Sequence, residues 1–301
     1  MKRSRFLTLA VMVVLGLLAS SAEAVKVPGG KSISTCQTIT KPGAYYLLDN
    51  LDATGDCIVI VVDDVTFNFN GYRIRGDGTG SCITDGGNSL NGIVILNGTA
   101  RECDTGINLD STDDGKIEEM RVLNNTSRGI QVGDRWIIKN NVVVDNGGDG
   151  IHAEDRILVL QNVVRNNGCH GILVEDESVI EQNMAQSNGS TCVGGDGIHA
   201  NGDAPVIKNN SCSDNDGDGI QVNERGAVII ANACRANGEH GIFVDDNGAA
   251  IHNNSAVNNG DDGFHVNGTP CTMTGNVATG NGDEEYSCSC TTENNAGGDC
   301  T

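Results

Sequence analysis

Histidines and carboxylates recur at a fixed interval through the middle of this chain, and any chemistry is to be sought among them. One row reads Gln131, His152, Leu173, His199, Gln221, Phe243 and His265. Two residues further on comes a second row: Gly133, Glu154, Glu175, Asn201, Asn223, Asp245 and Asn267. A third, three residues ahead of the first, holds Arg128, Asp149, His170, Asp196, Asp218, His240 and Asp262. Imidazoles beside carboxylates can exchange protons near neutral pH. Amides and carboxylates, with His152, Glu154, Gln221 and Asp245 as the clearest contacts, suit the hydroxyls of a sugar chain. Stacked carboxylates repel one another unless a cation or a protonated histidine stands between them. Asp214, Asp216 and Asp218, with Gly219 at the sixth place, match the first half of a calcium loop. Its second half departs, because Arg225 stands where the closing glutamate belongs. The competing reading of all three rows is a solvated face that carries the protein's charge.

The elements that position these rows are short. Gly129-Ile130, Gly150-Ile151, Gly171-Ile172, Gly197-Ile198, Gly219-Ile220, Gly241-Ile242 and Gly263-Phe264 open units spaced 21, 21, 26, 22, 22 and 22 residues apart. Such units are too short for helix pairs, have no 3.6-residue apolar stripe, and are rich in Gly, Asn and β-branched residues. They predict a coil of short parallel strands, with equivalent residues about 4.8 Å apart in successive turns. Alternation puts Ile151 and Ala153, and their equivalents, inside and the residues between them outside. Two asparagine rows, Asn141 to Asn276 and Asn146 to Asn281, are expected at the turns. Asparagine tolerates the left-handed conformation there and can bond the asparagine of the next coil. Looser units open near Gly92-Ile93 and Gly106-Ile107, and their irregular spacing predicts insertions. The long step comes from residues inserted around Ser190-Thr191-Cys192-Val193, and an enzyme breaks its repeat where unlike residues converge. His170, Glu175, Asp196 and His199 lie at that break and are the catalytic candidates.

The two ends and the overall charge set the compartment. Lys2, Arg3 and Arg5, an apolar run Phe6 to Leu18 and Ala22-Glu23-Ala24 read as a secretory signal over 1–24. The run is shorter than the roughly 20 residues a bilayer span needs, so no membrane insertion follows cleavage. A secreted or periplasmic location is expected, with a cap over 25–56, repeats over 57–282 and a Cys-rich cap or tail over 283–301. All twelve cysteines lie after the signal, which favours disulfides. Cys36–Cys57, Cys82–Cys103, Cys169–Cys192 and Cys212–Cys234 are the candidate pairs, the last with two stacked free thiols as its equal alternative. A net charge of −21 repels nucleic acid and anionic membranes and favours cations.

The G-I-x-V openings, the asparagine rows and Val65 to Gly71 together resemble right-handed parallel β-helix proteins of the pectin-lyase-like superfamily, over roughly residues 57–282. The resemblance implies an all-β, single-stranded right-handed parallel β-helix of about nine or ten coils with disulfide-stapled ends. That superfamily holds polysaccharide lyases, hydrolases, epimerases and esterases and proteins with no known activity, so fold alone does not choose among them. A pectate-lyase-like site would need acidic calcium ligands beside an arginine base, for which Arg135 and Arg156 near Asp134 and Asp155 are the nearest match. The hydrolase N-T-D and R-I-K motifs and the epimerase D-P-H-D motif are absent. The leading expectation is a polysaccharide or cell-surface glycan partner held along the outward strand face, with calcium-assisted lyase activity as its catalytic form. The rival is a non-catalytic surface, matrix or adhesion scaffold.

Overall fold

The computed structural model describes residues 29–245, 247–293 and 295–297; the expected signal segment and Cys300 lie outside them. No α-helix occurs among the described residues, and no helix is long and apolar enough to cross a membrane. The chain winds into a parallel coil with three strands per turn, for example Ile151–Ala153, Leu158–Leu160 and Val163–Arg165. First strands stack into one sheet of twelve, while second and third strands together form a sheet of 22. About twelve coils result, more than the nine or ten expected. The ladder begins at Gln37–Ile39, which pairs with Ile58–Ile60, and continues through Tyr286–Cys288, which pairs with Phe264–Val266. Neither end carries the G-I-x-V signature, so the repeat outruns its own motif at both.

The expected register holds from Ile130 to Val266. His152 stands beside Gln131 and Leu173, and His199 beside Leu173 and Gln221. Ile130, Ile151, Ile172, Ile198, Ile220, Ile242 and Phe264 are wholly buried. From Ile107 to Phe264 each first strand follows a glycine, because the coils pinch there. A Cβ on Gly197 would come within 2.6 Å of the Gly219 carbonyl oxygen. Only glycine fits that approach.

The asparagine rows run inside the coil. Asn162 has both amide hydrogens and both oxygen lone pairs engaged. Its Nδ2 donates to the Ile138 carbonyl at 2.8 Å and to Asn183 Oδ1 at 3.0 Å. Its Oδ1 accepts from Asn141 N at 2.9 Å and Asn141 Nδ2 at 3.0 Å. The left-handed conformation falls one residue earlier than expected, at Asn140, Gln161, Gln182, Asn209, Ala231 and Asn253, with φ from 56° to 58°. That residue makes the corner and throws the next side chain inward, where its amide serves backbone groups that water cannot reach.

The irregular region carries its extra residues between the first and second strands, where Leu90–Asn91 and Thr112–Asp113 pair as a separate two-stranded sheet. Its second and third strands run together into Val94–Arg101 and Lys116–Leu123, and the unit opens at Cys82-Ile83 rather than at Gly92-Ile93. Four disulfides lie among the described residues: Cys36–Cys57, Cys82–Cys103, Cys169–Cys192 and Cys271–Cys290. The last of these spacing alone did not pair. Cys212 and Cys234 correct the fourth expected bridge: they are buried free thiols in register with each other. Register alone does not decide the matter, since Cys36–Cys57 and Cys271–Cys290 also stand opposite each other on adjacent coils, just ahead of paired strands, and bond at Cα separations of 4.4 and 4.8 Å. Cys212 and Cys234 differ in lying inside the strands themselves.

Candidate active site

Where the chain turns into its first strand, the residue ahead of the glycine tucks its side chain against the next coil. A carboxylate there does for the exterior what asparagine does inside. Asp196 Oδ1 accepts the Asp218 amide at 2.7 Å, Asp218 Oδ1 the His240 amide at 2.7 Å, and Asp149 Oδ1 the His170 amide at 3.1 Å. Asp196 then has Oδ2 free to face outward, and it meets two imidazoles. His199 Nδ1 lies 2.7 Å away on its own coil, and His170 Nδ1 lies 3.3 Å away on the coil before. The carboxylate side chain is 2% exposed and His199 is 13% exposed. Burial works to protonate Asp196, but the two histidines outweigh it and its pKa falls below the ordinary value. Burial likewise opposes charge on His170, yet Asp196 and Asp149 raise that pKa. A neutral His170 accepts the Asp196 amide hydrogen on Nδ1 at 3.1 Å, whereas a protonated one donates to the Asp196 carboxylate.

His199 is held in one tautomer. An ionised Asp196 requires a hydrogen on Nδ1, which leaves the lone pair on Nε2. Asn223 Nδ2 lies 3.1 Å from Nε2 and 3.2 Å from Asn201 Oδ1, and Asn201 Nδ2 reaches Glu175 Oε2 at 3.2 Å. A carboxylate only accepts, so Glu175 fixes the direction of both amides and turns the Asn223 amine toward His199. Glu175 itself is raised, first by burial and, after the opposing bond from Asn201, by Glu154. The catalytic candidates therefore come together as two units: His170, Asp196 and His199 in direct contact, and Glu175 joined through two amides.

The constellation is repeated. Asp262 Oδ2 lies 2.7 Å from His265 Nδ1 and 3.6 Å from His240 Nδ1, and Phe243 stacks beside both rings, 5.5 Å from His240 and 5.3 Å from His265, which are 4.7 Å from each other. A third version places Asp149 Oδ2 3.2 Å from Arg128 Nε and 3.1 Å from His152 Nδ1. The signal in the sequence was Asp-Gly-Ile-His or Asp-Gly-Phe-His preceded one coil back by a basic residue. That signal runs across the rows rather than down their columns. Of the expected sugar contacts, Gln221 donates to Asn223 Oδ1 at 2.8 Å, while Glu154 and Asp245 stand exposed on coils well apart.

The calcium-loop residues do not converge. Asp214 and Asp216 are exposed, Asp214 accepts from Gln186 Nε2 at 3.2 Å, and Asp218 is buried. Burial first, then the neighbouring Asp196, push the Asp218 pKa up to about 8, so it is a neutral acid at pH 7. Among the described residues, the groups of three ligand atoms within 4.8 Å are His170–Asp196–His199 and His240–Asp262–His265. Arg135 is tied to Asp114 at 2.7 Å and Arg156 to Asp134 at 3.1 Å, which leaves neither as a free base.

The sequence matches the family Right handed beta helix region over residues 49–184 and 156–298, and the chain belongs to that family. No curated protein matches it. Among solved structures it is similar to the mannuronan C-5 epimerase AlgE4 A-module of Azotobacter vinelandii, with 17% identity, TM-score 0.60, and 84% of this chain and 91% of that one covered. It is also similar to an alginate lyase from Paenibacillus sp. str. FPU-7, with 13% identity, TM-score 0.53, and 89% and 99% covered. The periplasmic alginate epimerase AlgG gives 13% identity, TM-score 0.50, and 84% and 76% covered. At these identities the likeness is one of fold.

Proposed function

We propose that the protein acts outside the cytoplasm on an acidic polysaccharide laid along the first-strand face, with His199 as the proton-abstracting base. The observation that carries this is the Asp196–His199 pair, whose Nε2 lone pair faces the outward sheet. In a β-elimination, Nε2 takes the proton next to a uronate carboxylate, the neighbouring glycosidic C–O bond breaks, and an unsaturated sugar remains. The departing oxygen takes up a proton in turn. His170, when protonated, supplies positive charge beside the substrate carboxylate. The four disulfides fit an oxidising compartment, secreted or periplasmic. The similar solved proteins are named for action on alginate, which selects the first substrate to try.

Calcium assistance is the part of this reading with least geometric support, since Asp214, Asp216 and Asp218 stand apart. The test follows ultraviolet absorbance of the unsaturated product while the disulfide-intact protein is incubated with uronic-acid polysaccharides, with calcium or with chelator. A rise that survives chelation and vanishes in His199→Ala supports the base as described. A rise that needs calcium moves the charge-neutralising role from His170 to an ion. No rise on any polymer returns the protein to the scaffold reading.

A further inference from the structure

A second site stands on a different face, and its chemistry is the reverse of the surface around it. In a chain of net charge −21 with 19 basic residues, Arg73, Arg75, Arg101 and Arg121 gather on three successive coils of the third-strand face. Strand pairing sets Arg101 beside Arg75, and puts Thr99 between Arg73 and Arg121. Each alternates with a buried neighbour, Ile74, Ala100 or Val122, so all four project outward. They line or adjoin two connected hollows, one of about 340 Å³ walled by Arg73, Arg75, Arg101 and Glu102, and one of about 560 Å³ reaching Gly76, Gly78, Asn124 and Thr126.

The acidic groups present do not use up this charge. Glu102 bridges Arg75, at 2.6 Å from its Nε, and Arg101. Asp52, itself 76% exposed, lies 3.4 Å from Arg73, and Asp77 is turned onto Thr79. Arg121 is exposed with no carboxylate partner among the described residues, and Arg101 Nε is buried without any hydrogen-bond partner. Four guanidiniums thus face the three carboxylates of Glu102, Asp52 and Asp77, with one donor shut away from water and unpaired. Arginine presents paired donors in a fork that matches a carboxylate. We infer that this cleft binds carboxylate groups of an acidic polysaccharide and anchors the polymer away from the His199 face. The choice of polysaccharide rests on the proposed function; the requirement for an anion rests on the arginines alone.

The test is isothermal titration of the intact protein with an alginate tetrasaccharide and with a neutral glucan of equal length. The alginate oligomer binds the wild type, more weakly as salt rises, and the glucan does not. Losing a charged hydrogen-bonding partner lowers affinity by about tenfold per arginine, so R73Q/R101Q falls on the order of a hundredfold. Arg101→Lys keeps the charge, loses the fork and falls in between, and unchanged melting shows that the variants fold. His199→Ala keeps the arginine-dependent, salt-sensitive binding while losing turnover, which separates this site from the proposed active site. Wild-type affinity in R73Q/R101Q, or equal binding of the neutral glucan, overturns the inference, as does no binding of the alginate oligomer. Arginine-dependent binding without any turnover upholds it and removes the lyase reading instead.

Discussion

The constellations around Asp196 and Asp262 have the same residues in the same order, His, Asp and His, yet the environment drives their histidines in opposite directions. His170 is raised, whereas His240 is lowered, first by burial and then by the charge of His265. The carboxylate on the next coil accounts for most of the difference: Asp196 Oδ2 lies 3.3 Å from His170 Nδ1 and hydrogen-bonds it, whereas Asp262 Oδ2 lies 3.6 Å from His240 Nδ1, and Asp149 adds a smaller part on the His170 side. Behind His170 stands Asp149, with a lowered pKa, and behind His240 stands Asp218, a neutral acid at pH 7. The ring nitrogens that face out also differ. His199 Nε2 meets the Asn223 amine in an array polarised by Glu175, while His265 Nε2 meets Asn267 Oδ1 at 2.9 Å. The first stands against an amine and the second against an oxygen, so the two outward nitrogens meet opposite hydrogen-bonding partners. In a repeat protein the motif places the groups, but the neighbouring coil decides what they do.

The largest expected effect tests that contrast through turnover. His199→Ala should lower kcat by about 10²–10⁴-fold, while His265→Ala leaves most of it. Equal losses would make the two constellations equivalent. Next comes Asp218→Asn. A carboxyl raised from 3.8 to about 8 contributes stability that is full below its unfolded pKa and is lost as pH rises toward 8. Melting temperatures should therefore converge for variant and wild type in acid and favour the variant by several degrees above pH 8; parallel curves would show that Asp218 ionises normally.

Smaller, and more direct, is the titration of the two histidines by NMR. His170 should titrate above 6.5 and His240 below it. By linkage, His170 stabilises the fold below 6.5 and that stability is lost as pH rises through its folded pKa. The depressed His240 contributes above 6.5 and is lost as pH falls. Titration in the same direction would erase the contrast. The smallest effect is expected from Glu175→Gln, which lets the amides of Asn201 and Asn223 reverse. Nitrogen shifts should report loss of the single His199 tautomer, with kcat down by about tenfold; an unchanged tautomer would leave Asp196 as its sole determinant.

The fold was legible because a period of 22 residues can be counted and alternation assigns in and out. His170, Asp196 and His199 were also legible, as neighbours at a break in that count. Three things were not. The end coils lack the motif, although their strands pair in register with it. Cys212 and Cys234 share a column, but whether they bond depends on a Cβ separation that spacing does not encode. Asp218 looked like a calcium ligand beside Asp214 and Asp216 because alternate residues in a loop suggest convergence, whereas here Asn215 turns inward between exposed neighbours.

The interior asparagine rows also have a direction. Every side-chain amide donates toward the higher-numbered coil, from Asn125 to Asn146 and onward to Asn281. The amide dipoles therefore align along the axis, as peptide dipoles do in a helix, and leave the positive end at the last coil. There the Asn281 amine is met by Glu285 Oε2 at 2.6 Å, and the same carboxylate's Oε1 takes the Gly280 amide at 2.8 Å. The column of dipoles ends on a negative charge, so the coil is electrically closed at that end.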